Sequence, residues 1–200
     1  MQLTSACGWI YAIVWGLSFY PTLYLNYKLR TSDSISVDYI CLNIGGYLCY
    51  SVSLLLQLYN PNVVSQFMAK FDGRRPILSK ADLFYAFHGL FILFVLLSQI
   101  IFGKSIWGFH NERKHFKLHR LTKLMLLGIV IFLAGNWFLG AEEFRVLTIA
   151  LNLAYFKIIM SLVKYVPQVI HNYRRKTMYG ISKLQIALDA TGALFCMLEL

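Results

Sequence analysis

Six apolar runs divide the chain, near residues 7–28, 37–59, 82–102, 121–140, 146–172 and 183–200. Most are close to the ~20 residues that an α-helix needs to cross the hydrocarbon core of a bilayer. The fifth is longer and has the reach to tilt. Basic and polar residues collect between the runs. The pattern predicts an all-α, polytopic membrane protein with about six helices present. Nothing basic precedes the first run and no small-residue cleavage pattern follows it, so it reads as a retained helix and not as a signal peptide. The last run reaches Leu200 without a polar flank. Either the helix ends there or the chain is truncated.

Inside the runs, polar residues recur at helical spacing. Lys157, Ser161, Lys164, Gln168 and Asn172 follow one another at intervals of 4, 3, 4 and 4, which places them on one helix face. The first run offers Tyr11, Trp15, Ser18, Thr22 and Asn26; the second Ser36, Tyr39, Asn43, Gly46 and Tyr50; the sixth Ser182, Gln185, Asp189, Gly192 and Cys196. The simplest arrangement turns these four stripes inward around a central cavity. A Lys or Asp at the centre of a membrane helix costs roughly 2.5–3.5 kcal/mol on insertion scales. A wet cavity, or mutual pairing, removes most of that penalty for Lys157, Lys164 and Asp189. Two other readings stand beside this one. Lys157 snorkels to the membrane surface, or Asp189 forms a structural ion pair with a lysine.

The first and fifth runs are related. A shift of 146 positions brings Pro21 onto Pro167, Asn26 onto Asn172, Tyr27 onto Tyr173 and Thr31 onto Thr177. It also brings Ile35 and Ser36 onto Ile181 and Ser182, and Gly46 onto Gly192. Four crossings separate the two runs, and an even number preserves direction. The repeats are therefore expected to be parallel, a plan known among transporters. Proline in a helix interior frees the carbonyl four residues back, here Leu17 and Val163. Pro21 and Pro167 are expected to kink paired helices and act as hinges, unless they are merely tolerated. Gln168 stands where its amide can serve the freed carbonyl or a ligand. Asp38, in the first turn of the second run, is placed for the helix dipole as well as for transport.

Composition agrees. The chain is 58% hydrophobic and only 14% charged, with a mean hydropathy of +0.57. Its net charge of +10 lies mainly between apolar runs, which suits membrane topology and anionic headgroups and not nucleic acid. Eleven Lys and Arg follow runs one, three and five, against five on the opposite side. By the positive-inside rule the richer side is cytoplasmic and the N-terminus lumenal or extracellular. His115 and His119 have the spacing of metal ligands on a helix, but a loop this basic, without a carboxylate cluster, gives no ground for a metal. The four cysteines all fall in apolar runs and form no CxxC pair. Nothing resembles a catalytic triad, a phosphate loop or paired catalytic carboxylates, so no enzyme and no cofactor is expected.

The stretches "YVPQVIHNYRRKT" and "FYPTLYLNYK", with "GWIYAIVWGLSFYP", "SVDYICLNIGGYLCYSV", "LVKYVPQ" and "LDATGALFCMLEL", resemble the PQ-loop transporter family. The resemblance implies two three-helix bundles joined by a linker helix, seven helices in all, with the N-terminus lumenal. On that plan residues 1–102 are the first repeat, 103–145 a basic cytoplasmic loop and linker helix, and 146–200 the second repeat, incomplete. It implies proton-coupled export of cystine, or a related amino acid, across the lysosomal or vacuolar membrane. Asn26, Lys157, Lys164, Gln168, Asn172 and Gln185 would meet substrate, and Asp189 and Asp38 would handle protons. Gln185 falls where relatives carry asparagine. The first repeat reads Pro-Thr instead of Pro-Gln. A seventh helix is not among these 200 residues, so the chain is expected to be truncated at its C-terminus. Two alternatives remain open: a sibling transporter of a cationic amino acid or a sugar, and a non-transporting membrane receptor or truncated product.

Overall fold

A computed structural model describes residues 10, 13–78, 80–111, 117–139 and 145–199, the side chains of 196, 198 and 199 excepted. Cys7, Tyr11, Arg113, Lys114 and His115 lie outside the described residues, as does the side chain of Cys196. Among the described residues all regular structure is helical. Helical residues 13–17 lead into α1 (Tyr20–Leu29), followed by α2 (Val37–Tyr59), α3 (Pro61–Lys70), α4 (Lys80–Ile101), α5 (Arg120–Leu139), α6 (Arg145–Val163), α7 (Tyr165–Arg175) and α8 (Lys183–Glu199). Among the described residues four stretches are long and apolar enough to cross a membrane: α2, α4, Arg120–Phe138 of α5, and Arg145–Arg175 through α6 and α7.

The two prolines do more than kink a continuous helix. The chain turns at Ser18 and Phe19, and Pro21 then stands in the first turn of α1. There its missing N–H is no loss. The same device recurs at Lys164, which joins α6 to α7 and puts Pro167 in the first turn of α7. The Lys164 N–H still bonds the Met160 carbonyl at 2.9 Å.

The chain forms two compact units. One is drawn from Met1–Val37, Phe91–Phe116 and Gln168–Leu200; the other from Asp38–Leu90 and Lys117–Pro167. In the second unit α6 carries the core. Leu153 and Met160 pack with Leu42, Cys49 and Ile129, and with Met125, Leu126 and Phe156 around them. Nearer its start, Leu147 and Ala150 pack with Val63 of α3. The short helix α3 is not expected from hydrophobic runs, since it is ten residues long and too polar to span. It is nonetheless well specified. Asn60 caps it by accepting from the N–H groups of Asn62 and Val63, and Pro61 opens it, a strong start signal. The Gln66 side chain then accepts the Leu147 N–H at 3.2 Å, tying α3 to the start of α6.

In the first unit the duplication is written in the backbone. Arg30 and Lys176, 146 apart, both end their helices in the left-handed conformation, at φ 53° and 52°. The Arg30 N–H reaches the Tyr27 carbonyl at 3.4 Å, and the Lys176 N–H reaches the Tyr173 carbonyl at 3.2 Å. Ile35 bonds Ser32 at 3.2 Å, and Ile181 bonds Met178 at 3.1 Å. The two turns also touch at matching positions. Gly180 is the counterpart of Ser34, and a methyl group added to Gly180 would stand 2.8 Å from the Ser34 Cβ. A residue that meets its own counterpart sets the two turns face to face. Gly180 has φ +87°, which glycine adopts freely and other residues do not.

Gly180→Ala is therefore expected to lower the thermal stability of the detergent-solubilised protein. The backbone contribution is about 1–2 kcal/mol, with the overlap on Ser34 added to it. Adding Ser34→Gly should restore the overlap part and leave the backbone part. An unchanged melting temperature for Gly180→Ala would show that the turns do not meet in this way.

Candidate functional site

Each unit holds its own polar cluster. In the second unit the cluster is centred on Lys164, at the joint between α6 and α7. Lys164 is only 9% exposed. Its Nζ donates to Asn43 Oδ1 of α2 at 3.3 Å and lies 5.6 Å from the Tyr39 ring centre and 4.9 Å from that of Tyr165. Cation–π contact of this kind is worth roughly 0.5–2 kcal/mol, most where water is excluded. Asn43 is 1% exposed, and among the described residues its Nδ2 has no acceptor. An ammonium and an orphaned amide N–H thus share one buried place. Together they offer donors suited to an oxygen anion. Asn43 belongs to the polar stripe of the second run, but its importance is not evident there. The signal that points to it is the repeat, which pairs it with Asp189.

Lys157, seven residues before Lys164, is half-buried, with its Nζ 3.6 Å from the centre of the Tyr47 ring. Asp38, in the first turn of α2, accepts the backbone N–H of His119 on its Oδ1 at 2.8 Å. That bond gives the carboxylate a role in holding the segment that leads into α5. His119 Nδ1 in turn accepts the Leu121 N–H at 3.3 Å.

In the first unit Gln168 is the busiest side chain. Its Nε2 donates to the Ser34 carbonyl at 2.9 Å and to Asn172 Oδ1 at 3.0 Å, while its Oε1 accepts the Ser36 N–H at 2.9 Å. The amide is bonded to the α1–α2 turn and not to the carbonyl freed by Pro167, as the sequence allowed. Ser36 immediately precedes α2, so Gln168 supplies a helix-start acceptor from a distant part of the chain. His171 reinforces the hold, with Nε2 2.8 Å from the Asp33 carbonyl; a carbonyl only accepts, so the ring nitrogen donates. The first-repeat counterpart of Gln168 is Thr22, whose hydroxyl donates to Gln185 Oε1 of α8. Trp15 Nε1 donates to the Asp189 carbonyl at 3.2 Å. Pro21 stands one residue before Thr22, as Pro167 does before Gln168.

Asn26 keeps different company from Gln168, Asn172 and Gln185. It is 1% exposed, and its Nδ2 donates to Gln99 Oε1 of α4 at 2.9 Å. The Gln99 carbonyl accepts the Ser32 hydroxyl at 3.2 Å, and Ser32 exchanges two bonds with Asn111, at 2.8 and 3.0 Å. Gln99 gave no sign in the sequence, because an amide in an apolar helix does not announce its partner. Removing one member of a buried pair strands the other at about 1–3 kcal/mol. Asn26→Ala is expected to lower the melting temperature accordingly. The double variant Asn26→Ala with Gln99→Leu should lose less than the sum of the two single changes, by about 0.5 kcal/mol or more. Strict additivity would mean that the pair does not act as one unit.

Comparison with known proteins follows the same lines. The sequence profile of the PQ loop repeat family matches residues 3–63 and 149–200, one match in each repeat. The chain is similar to the cystine transporter of Saccharomyces cerevisiae, at 32% identity over 100% of this chain and 78% of that protein. It is similar to the cystinosin homolog of Caenorhabditis elegans, at 29% identity over 99% of this chain and 47% of that protein. It is also similar to cystinosin of Bos taurus, at 28% identity over 99% of this chain and 52% of that protein. The chain thus spans about half the length of the nematode and bovine relatives. With two matched repeats, an all-helical architecture and near-complete coverage by a relative above 30% identity, the chain belongs to the cystinosin-like PQ-loop family of polytopic membrane proteins.

Proposed function

We propose that this protein moves cystine, or a closely related amino acid, across a lysosomal or vacuolar membrane in company with protons. The observation that carries the reading is the buried pair of Lys164 and Asn43. Nζ and Oδ1 lie 3.3 Å apart, and the Asn43 amide N–H groups lack an acceptor among the described residues. Cystine carries two carboxylates. A carboxylate that receives a bond from the ammonium and one from the amide gains charge-assisted hydrogen bonds in a place poor in water. The similar yeast and bovine proteins, a cystine transporter and a cystinosin by name, support the same cargo. Lys157 adds a second positive charge on the same side of the chemistry. Cationic amino acids fit such surroundings badly, and a sugar has no use for them.

Asp189 is the proposed proton carrier. The repeat puts an amide, Asn43, and an acid, Asp189, at equivalent positions 146 apart, so one repeat holds a fixed donor and the other a group that can change its charge. Asn172 and Gln185 are proposed to serve the polar heads of the substrate. Asn26 is proposed to act mainly through Gln99, and Asp38 mainly through His119. The joints at Pro21 and Pro167 are proposed hinges, with Gln168 and His171 holding the α1–α2 turn between movements. Protons and substrate together would then shift the balance between conformations. By the positive-inside rule the basic connections face the cytosol.

The test is flux of radiolabelled L-cystine in proteoliposomes, with and without a pH gradient. Gradient-driven flux is expected, inhibited by unlabelled L-cystine and not by arginine or glucose. Asp189→Asn is expected to abolish the dependence on the gradient while sparing L-cystine binding. Binding without flux would mean a receptor, and unchanged gradient dependence in Asp189→Asn would remove that residue from proton handling.

A further inference from the structure

Lys157 is held by a partner of an unusual kind for a charge inside an apolar unit. Its Nζ lies 3.6 Å from the centre of the Tyr47 ring, and Tyr47 is only 2% exposed. The ring is itself seated from two sides. Its hydroxyl is 2.8 Å from that of Tyr85, with the two rings 5.9 Å apart and inclined at 56°. Behind it lies Gly89 of α4, where an added methyl group would stand 2.5 Å from Cε1 and 2.9 Å from Cζ of Tyr47. Contacts that short do not occur, so the ring occupies space that only glycine leaves open. The stem of the lysine is bounded as well. A methyl group on Gly46 would lie 3.0 Å from the Met160 Cβ and 3.5 Å from the Lys157 Cδ.

We propose that Tyr47, seated by Gly89 and Tyr85, is a positioning residue that presents the Lys157 ammonium to the substrate. The inference rests on the proposed transport reading, in which Lys157 meets a carboxylate. The physical point is what a ring does that a carboxylate does not. An acidic partner would fix the ammonium but neutralise it, and would compete with the substrate's own carboxylate. The face of an aromatic ring attracts a cation through its quadrupole and leaves the net charge in place. The pair joins the two repeats, Lys157 from the second and Tyr47 from the first, and it occurs once. The counterparts of Lys157 and Tyr47 are Tyr11 and Ala193, a pair that offers no cation.

The experiment measures KM and maximal rate for radiolabelled L-cystine with the full-length protein in proteoliposomes. Lys157→Ala comes first and is expected to raise KM. At position 47, phenylalanine and then phenylalanines bearing one, two and three fluorines are introduced. Fluorine drains the negative face of the ring with little change of shape, so a packing role does not respond to it. Tyr47→Phe, which gives up the hydroxyl bond to Tyr85, sets the reference for the series. Relative to it KM should climb with each fluorine, to a total of about 2- to 30-fold, with the maximal rate little changed. Gly89→Ala, which must displace the ring, should raise KM in the same direction. A rise for Lys157→Ala with a flat fluorination series would overturn the role of Tyr47 and leave the transport reading intact. No rise for Lys157→Ala would overturn this inference together with the part of the transport reading that uses Lys157.

Discussion

An ammonium group shut away from water is the constraint around which the second unit is organised. Lys164 stands where α6 gives way to α7, and the break is imposed three residues later by Pro167. A lysine in mid-helix would project into whatever packs against that face. Here the surroundings answer it with a side-chain oxygen from Asn43 and two tyrosine rings. Burying such a charge costs several kcal/mol even after relaxation. Apolar residues of similar size would hold the same helices together at less cost. The anionic ligand proposed above gives a lysine in that setting a use beyond stability.

The first unit solves a different problem with neutral groups. The two repeats meet at their turns, where helix ends leave backbone groups unsatisfied. Gln168 answers a carbonyl at Ser34 and an N–H at Ser36, His171 answers the carbonyl of Asp33, and Gly180 makes room for Ser34. All three contributors come from the second repeat and all three targets from the first. Such contacts are of the strength of ordinary hydrogen bonds, about 1 kcal/mol each, so they can be made and released without unfolding either helix. A hold of that size suits the hinge movement proposed above.

Runs two to six were legible because length and apolarity decide them: α2 has the bounds that the sequence implies, and α4, α5, α6 with α7, and α8 differ by a few residues. The first run is interrupted at Ser18 and Phe19, and it begins outside the described residues. The helix breaks were legible as prolines, although the sequence suggested kinks where the chain restarts a helix. The duplication was legible down to the hydrogen bonds of the two turns. Helix α3 was not legible as an apolar run, since it is too short and polar to span, even though Asn60 and Pro61 announced it. Of the polar residues, those expensive in a membrane, Lys157, Lys164 and Asp189, declared themselves. Asn43, Gln99 and Tyr47 did not, since an amide or a tyrosine is tolerated in an apolar helix and its significance comes from the residue that tertiary packing sets against it. The roles first suggested for Asn26 and Gln168 depended on partners for the same reason, and their partners are Gln99 and the α1–α2 turn.

The most direct measurement is equilibrium binding of radiolabelled L-cystine to purified protein carrying Lys164→Met, alongside its melting temperature. Methionine keeps most of the length and removes the charge. If the ammonium is kept for a carboxylate, binding should be lost while the melting temperature stays level or rises. Retained binding with a lowered melting temperature would show that Lys164 supports the fold and not the substrate.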